Sequence, residues 1–253
     1  DATIVLTQLA PNKALDVTGI ASGVDVTQRS ADFVAGKDFA VVGLETGQVV
    51  TLEFAGVNNL SAPTATVPAG YVDKVVFTAD ATLTVTAAQL VVLLADANSD
   101  GKADGWSLAA GANVTLNVTG LSTQALNLDL LEAAGIDIGT VTIANINSAF
   151  TLDPATTFGN AATIVTPTAD VAAPEWGTER TSVTMSVDQF VSSAGVITGD
   201  AQINLTGLYN NVDTDGDFIP DSANFDLSGI ARSSPTRWIT LMQRPRLFST
   251  MSL

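Results

Sequence analysis

The segment DTDGDFIPD (213–221) places Asp213, Asp215, Asp217 and Asp221 at positions 1, 3, 5 and 9 of a short stretch. DANSDGKAD (96–104) places Asp96, Asn98, Asp100 and Asp104 at the same four positions. Side-chain oxygens at alternate positions, with turn-forming residues between them, let a loop fold around one hard cation. Calcium takes about six to eight such oxygens at about 2.3–2.6 Å. The plain alternative is an Asp/Asn/Gly turn held by local hydrogen bonds. One such loop would leave the two readings level, and the recurrence of a single spacing tips the balance toward calcium.

Other chemistry is scarce. The chain has no histidine and no cysteine, which removes the commonest general base and zinc ligand, thiol nucleophiles and disulfides together. The routes left for catalysis are a carboxylate pair or a Ser/Lys arrangement. Glu175 and Glu179 flank Trp176 in PEWGTER, but nothing separates them from loop charges balanced by Arg180. No phosphate-binding glycine loop or nucleophile elbow is present. The chain does not read as an enzyme.

The two acidic loops resemble the D-x-D-x-D-G-x-x-D calcium loops of thrombospondin type 3 repeats and, less closely, the EF-hand loop. The resemblance covers about nine residues each time. It implies calcium, with Gly101 at the family's glycine position and Asn98 in place of one aspartate. In the second loop Phe218 stands where the family has glycine, and Asn211 offers a further oxygen.

The elements that must position these loops read as strands. ATIVLTQL (2–9), GQVVTLEFAGV (47–57), DKVVFTADATLTVTA (73–87), GTVTIANI (139–146) and TSVTMSV (181–187) alternate apolar and polar residues and are rich in β-branched side chains. Only 123–135 and 86–96 have the length and composition for helices. A unit of an apolar pair, a small residue, glycine and an aliphatic recurs five times, with Gly19, Gly56, Gly120, Gly207 and Gly229 placed to turn or bulge the backbone. Its spacings of 37, 64, 87 and 22 residues are irregular, which argues against a solenoid or β-helix. The expectation is an all-β fold, a β-sandwich or jelly roll with one or two short helices. It would occupy residues 1–231 as one continuous body, with the stretch 163–182, where Pro167 and Pro174 interrupt the strand pattern, read either as a long crossover loop or as a division between two units.

Composition bounds the partners. The 253 residues are 46% hydrophobic and 14% charged, with a net charge of −16. Phosphate backbones would be repelled, so nucleic acid is excluded as a partner. The longest apolar run, Leu90 to Ala95, is far short of the roughly 18 residues a membrane span needs. Charge is also segregated. Residues 232–253 carry Arg232, Arg237, Arg244 and Arg246 and no acid, leaving 26 acidic against six basic residues in the rest. Such a tail could dock on an acidic neighbour, touch anionic lipid, or be a stretch foreign to the protein.

Asp1 without an initiator methionine reads as a mature chain whose leader was cleaved. Taken whole, the Thr/Val/Ala-rich strands, the absent cysteine, the low pI and the calcium loops resemble bacterial surface-layer and extracellular filament proteins. That resemblance implies a secreted structural subunit at the cell surface. Copies of itself would be its partners, joined by exchange of strand 2–9, with cell-surface polysaccharide as a further partner. Calcium would brace loops and screen the repulsion between acidic copies. The alternative is a calcium-dependent extracellular adhesin or carbohydrate-binding domain, with Trp106 and Tyr209 beside the loops. A phage tube or decoration protein is a third reading. The triplets at Asn59, Asn113, Asn117 and Asn204 read as background in a threonine-rich chain.

Overall fold

A computed structural model describes residues 2–6, 15–16, 24–29, 41–42, 49–61, 72–97, 99–146, 148–167, 182–192, 196–199, 201–206 and 239–241. Fifteen strands and three helices lie within them. The strands are β1 Ala2–Leu6, β2 Leu15–Asp16, β3 Val24–Arg29, β4 Val41–Val42, β5 Val50–Asn59, β6 Lys74–Thr86, β7 Trp106–Leu108, β8 Val114–Leu121, β9 Asp137–Ile143, β10 Ala149–Thr151, β11 Thr163–Val165, β12 Ser182–Ser186, β13 Val196–Thr198, β14 Gln202–Thr206 and β15 Ile239–Leu241. The helices are α1 Ala87–Leu93, α2 Asp129–Ala133 and α3 Val187–Ser192.

Every described strand pair is parallel. The main sheet has nine strands in the order β1-β3-β5-β6-β8-β9-β11-β13, with β7 also on β6. A second sheet runs β10-β12-β14-β15, and a third pairs β2 with β4. This overturns the sandwich or jelly roll. The protein is mostly a parallel-strand sheet with a few helices, an α/β-like arrangement. Alternation of apolar and polar residues is common to both pairing senses. Antiparallel neighbours can be joined by a two-residue turn, whereas parallel ones need a crossover of a dozen or more residues. The crossovers here also carry strands. From β9 to β14 the chain alternates strictly between the two larger sheets, so it winds in coils.

The irregular glycine spacing misled because the glycine unit is not the coil repeat. Partners across the main sheet lie 22 residues apart at Ala2 and Val24, 24 at Val26 and Val50, 33 at Ala81 and Val114, and 33 again at Thr163 and Val196. Loops absorb these differences. Gly56 (φ 67°) and Gly120 (φ 71°) do sit at register shifts, Gly56 inside β5 and Gly120 one residue before the end of β8.

Register makes the core. Val85, Val118, Val141, Ile164 and Ile197 form one inward ladder across five strands, each at most 3% exposed. Phe150, Val183 and Ile203 form a matching ladder in the second sheet, and both ladders belong to one apolar cluster. Burying each such side chain contributes about 1.5–3 kcal/mol. The intervening residues, among them Thr82, Thr84, Thr86, Thr115 and Thr119, take the outward face.

Polar side chains join coil to coil where the ladder is interrupted. Val49 N–H donates to Asp25 Oδ1 at 3.1 Å, Val50 N–H to Asp73 Oδ2 at 2.8 Å, Asn113 N–H to Asp80 Oδ1 at 2.8 Å and Thr140 N–H to Asn117 Oδ1 at 2.9 Å. Part of the negative charge counted in the sequence thus supplies acceptors that backbone carbonyls do not.

The helix expected over 86–96 forms as α1, and that over 123–135 shrinks to α2. Its N-terminal half is held otherwise: Gln124 Oε1 accepts from Ser122 N–H at 2.7 Å, and Asn127 Oδ1 accepts from Asp129 N–H at 3.1 Å. Such local bonds compete with the helix. Residues 168–181, within the candidate division near 163–182, lie outside the described residues, and the main sheet continues through β11 and β13 on either side of them. Of the tail 232–253 only Ile239–Leu241 is described, paired with β14.

Candidate calcium loop

The first acidic loop connects α1 to β7, so both its ends are tied to the core. The chain enters through Leu93, which is buried, and leaves through Trp106, whose indole N–H donates to the Leu93 carbonyl at 2.9 Å. Trp106 is 8% exposed and its ring lies 6.1 Å from that of Phe77. Ala103, also buried, donates its N–H to the Leu130 carbonyl at 3.1 Å.

Within this frame the aspartates gather backbone donors. Asp96 accepts from Asp100 N–H (3.0 Å) on Oδ1 and from Gly101 N–H (3.2 Å) on Oδ2. Asp100 Oδ1 accepts from Lys102 N–H at 2.9 Å. Asp104 closes the loop twice: its Oδ2 accepts from Ala97 N–H at 2.5 Å and its own N–H donates to the Ala95 carbonyl at 2.7 Å. Ser99 and Gly101 take positive φ, 58° and 79°. Gly105 (φ 73°) is the most constrained, because a Cβ there would lie 2.1 Å from the Asp73 carbonyl oxygen. Only glycine fits both the backbone angle and the space. Sequence reading missed this residue, although a glycine directly after the last acidic position was visible.

The donor set is all oxygen, as calcium requires, and a carboxylate oxygen that accepts one N–H keeps a second lone pair. Asp96, Asp100 and Asp104 do not converge: among the described residues no group of three or more acidic side chains is placed to hold a metal ion. The oxygens instead face the loop's own N–H groups. Asn98 lies outside the described residues, and so does the whole second loop with Asp213, Asp215, Asp217 and Asp221, together with Tyr209 and the Glu175–Glu179 pair.

No family model matches the chain, and no curated protein or solved structure does. Among the described residues no helix is long and apolar enough to cross a membrane.

Proposed function

We propose that the chain is a secreted structural subunit that assembles with copies of itself into a cell-surface array or extracellular filament, braced by calcium. The observation that carries this reading is the order of the main sheet. Its path runs in chain order from β1 to β13, all parallel, so its two end strands present opposite, complementary edges. An edge strand is a template for pairing. Joining the β13 edge of one copy to the β1 edge of the next is a heterologous contact, and such contacts propagate into fibres or sheets when they do not close. In this form the subunit need not exchange strand 2–9, since β1 pairs with β3 of its own chain.

Calcium enters through the loops. The 96–104 loop holds its carboxylates in a fixed turn at the surface, where a cation drawing Asp96, Asp100 and Asp104 together would stiffen the connection between α1 and β7. With net charge −16, copies repel one another until divalent cations screen them. The adhesin reading loses support at Trp106, which packs into the core and offers a sugar ring no face.

Negative-stain electron microscopy of the purified protein, with calcium and after chelation, tests the proposal. Filaments or sheets that loosen on chelation support it. Single compact particles in both conditions, at concentrations far above those used for imaging, would sink it.

A further inference from the structure

Four Asn-x-Ser/Thr triplets occur in the chain, at Asn59, Asn113, Asn117 and Asn204, and the fold makes them unequal. Asn204 is 5% exposed and its Nδ2 donates to Ser182 Oγ at 2.6 Å, while the hydroxyl of its triplet, Thr206, donates to the Met185 carbonyl at 3.3 Å. Asn117 is half-buried in β8. Its Oδ1 accepts from Thr140 N–H and lies so close to Gly139 that a Cβ there would be 2.6 Å away. Thr119 donates its hydroxyl to the Val85 carbonyl at 3.3 Å. In both triplets the hydroxyl is directed at a neighbouring strand.

Asn113 is exposed, but Asp80 holds it by two bonds, from its backbone N–H at 2.8 Å and from its Nδ2 at 3.4 Å. A carboxylate that accepts from Nδ2 occupies the atom that would react.

Asn59 differs from all three. It is exposed at the end of β5, and its Oδ1 accepts both from Ser61 N–H at 2.9 Å and from the Ser61 hydroxyl at 2.7 Å. Leu60 between them is fixed from two sides: its N–H donates to the Thr84 carbonyl at 2.8 Å and its carbonyl accepts from Gln89 Nε2 at 2.9 Å. The triplet is therefore a preformed turn. As an amide nitrogen loses a proton, charge moves to the amide oxygen, and two donors already aimed at that oxygen stabilise it.

We infer that Asn59 is an N-glycosylation site, the one of the four triplets whose folded geometry accepts an activated oligosaccharide. Asn59 Nδ2 bonds to the anomeric carbon of a lipid-diphosphate-linked oligosaccharide. The bond from that carbon to the diphosphate oxygen breaks, its electron pair leaves with the diphosphate, and the Nδ2 proton passes to a basic group of the transferase. The inference rests on the extracellular reading only in that donor and transferase are met during export.

The test supplies both in vitro, so its outcome is separable from that of the assembly experiment. The folded protein is incubated with a lipid-diphosphate oligosaccharide and a single-subunit oligosaccharyltransferase that accepts the bare triplet. Synthetic peptides spanning each triplet, all chosen to be substrates, run alongside, and site occupancy is read by mass spectrometry. On the folded chain Asn59 is expected to be modified at least about tenfold faster than Asn113, the rate factor that one well-placed hydrogen bond can supply. Asn117 and Asn204 stay unmodified, Asn59→Gln removes the signal and Ser61→Thr retains it. Comparable modification of all four sites on the folded chain would overturn the inference. So would an unmodified Asn59 on a folded chain whose Asn59 peptide is modified.

Discussion

Thr86 and Gln89 bind each other twice: Gln89 N–H donates to Thr86 Oγ1 at 3.1 Å, and Thr86 N–H donates to Gln89 Oε1 at 2.8 Å. Ser186 and Gln189 repeat the arrangement at the start of α3, at 3.0 and 2.9 Å. In both, the glutamine amide also reaches to an earlier segment, Gln89 to the Leu60 carbonyl and Gln189 to those of Asp153 (2.8 Å) and Thr156 (3.0 Å). One side chain thus starts a helix and ties it to the coil before it.

Gln89→Ala is expected to destabilise the protein by about 2–4 kcal/mol, about one for the cap and the rest for a buried carbonyl left without its donor. Urea denaturation measures it. Gln189→Ala should cost a similar amount. A loss below about half a kcal/mol in either would show that water replaces the glutamine amide.

Two glycines of the acidic loop should respond differently to alanine. Gly101→Ala meets open space and pays only for positive φ, about 1–2 kcal/mol. Gly105→Ala pays that and also forces its methyl against the Asp73 carbonyl, for about 3–5 kcal/mol in all. Thermal unfolding of the two variants side by side gives the difference.

Trp106→Phe keeps an aromatic ring beside Phe77 and removes the indole N–H from the Leu93 carbonyl. The expected loss is about 1–3 kcal/mol, read by chemical denaturation. An unchanged midpoint would mean that another donor reaches that carbonyl.

Calcium should raise the melting temperature. At a free concentration a hundredfold above its dissociation constant, one site adds about 2.7 kcal/mol. Asp104→Ala should lower stability without calcium, because the Ala97 N–H loses its acceptor, and should also reduce the gain on adding calcium. Calorimetry of both proteins, with and without chelator, separates the two effects. A gain of equal size in the variant would remove the 96–104 loop from the calcium-dependent behaviour.

The edge of β1 gives the assembly reading a point of attack. Val5 is 42% exposed, and Val5→Lys places a charge on an end strand, a device that blocks edge pairing. Assemblies seen by electron microscopy should be lost while circular dichroism stays unchanged. Undiminished assemblies would place the contact between copies elsewhere.

The amino-acid sequence by itself determined much of the local structure. The five segments read as strands correspond to β1, β5, β6, β9 and β12 within a few residues, because β-branched alternation is a property of each segment alone. The capping pairs Thr86–Gln89 and Ser186–Gln189 went unread, although both are Ser/Thr-x-x-Gln before apolar residues, and α3, which the second one starts, was not expected. The acidic loop at 96–104 was legible, and the four Asn-x-Ser/Thr triplets were visible but read as background.

Pairing was decided only in the tertiary structure. Val85 alternates with Thr84 and Thr86 in the same way whether its neighbour runs parallel or antiparallel. It is the distance along the chain to Val118, 33 residues, filled by α1, the acidic loop and β7, that makes the neighbour parallel. That distance is set by how much chain the core can seat between two strands, and no local pattern records it. The same holds for the triplets. Asn59 and Asn204 have equivalent sequences around them, yet one ends exposed on a preformed turn and the other is buried against Ser182, because the identity of the neighbouring coil, and not the triplet, decides where each hydroxyl donates.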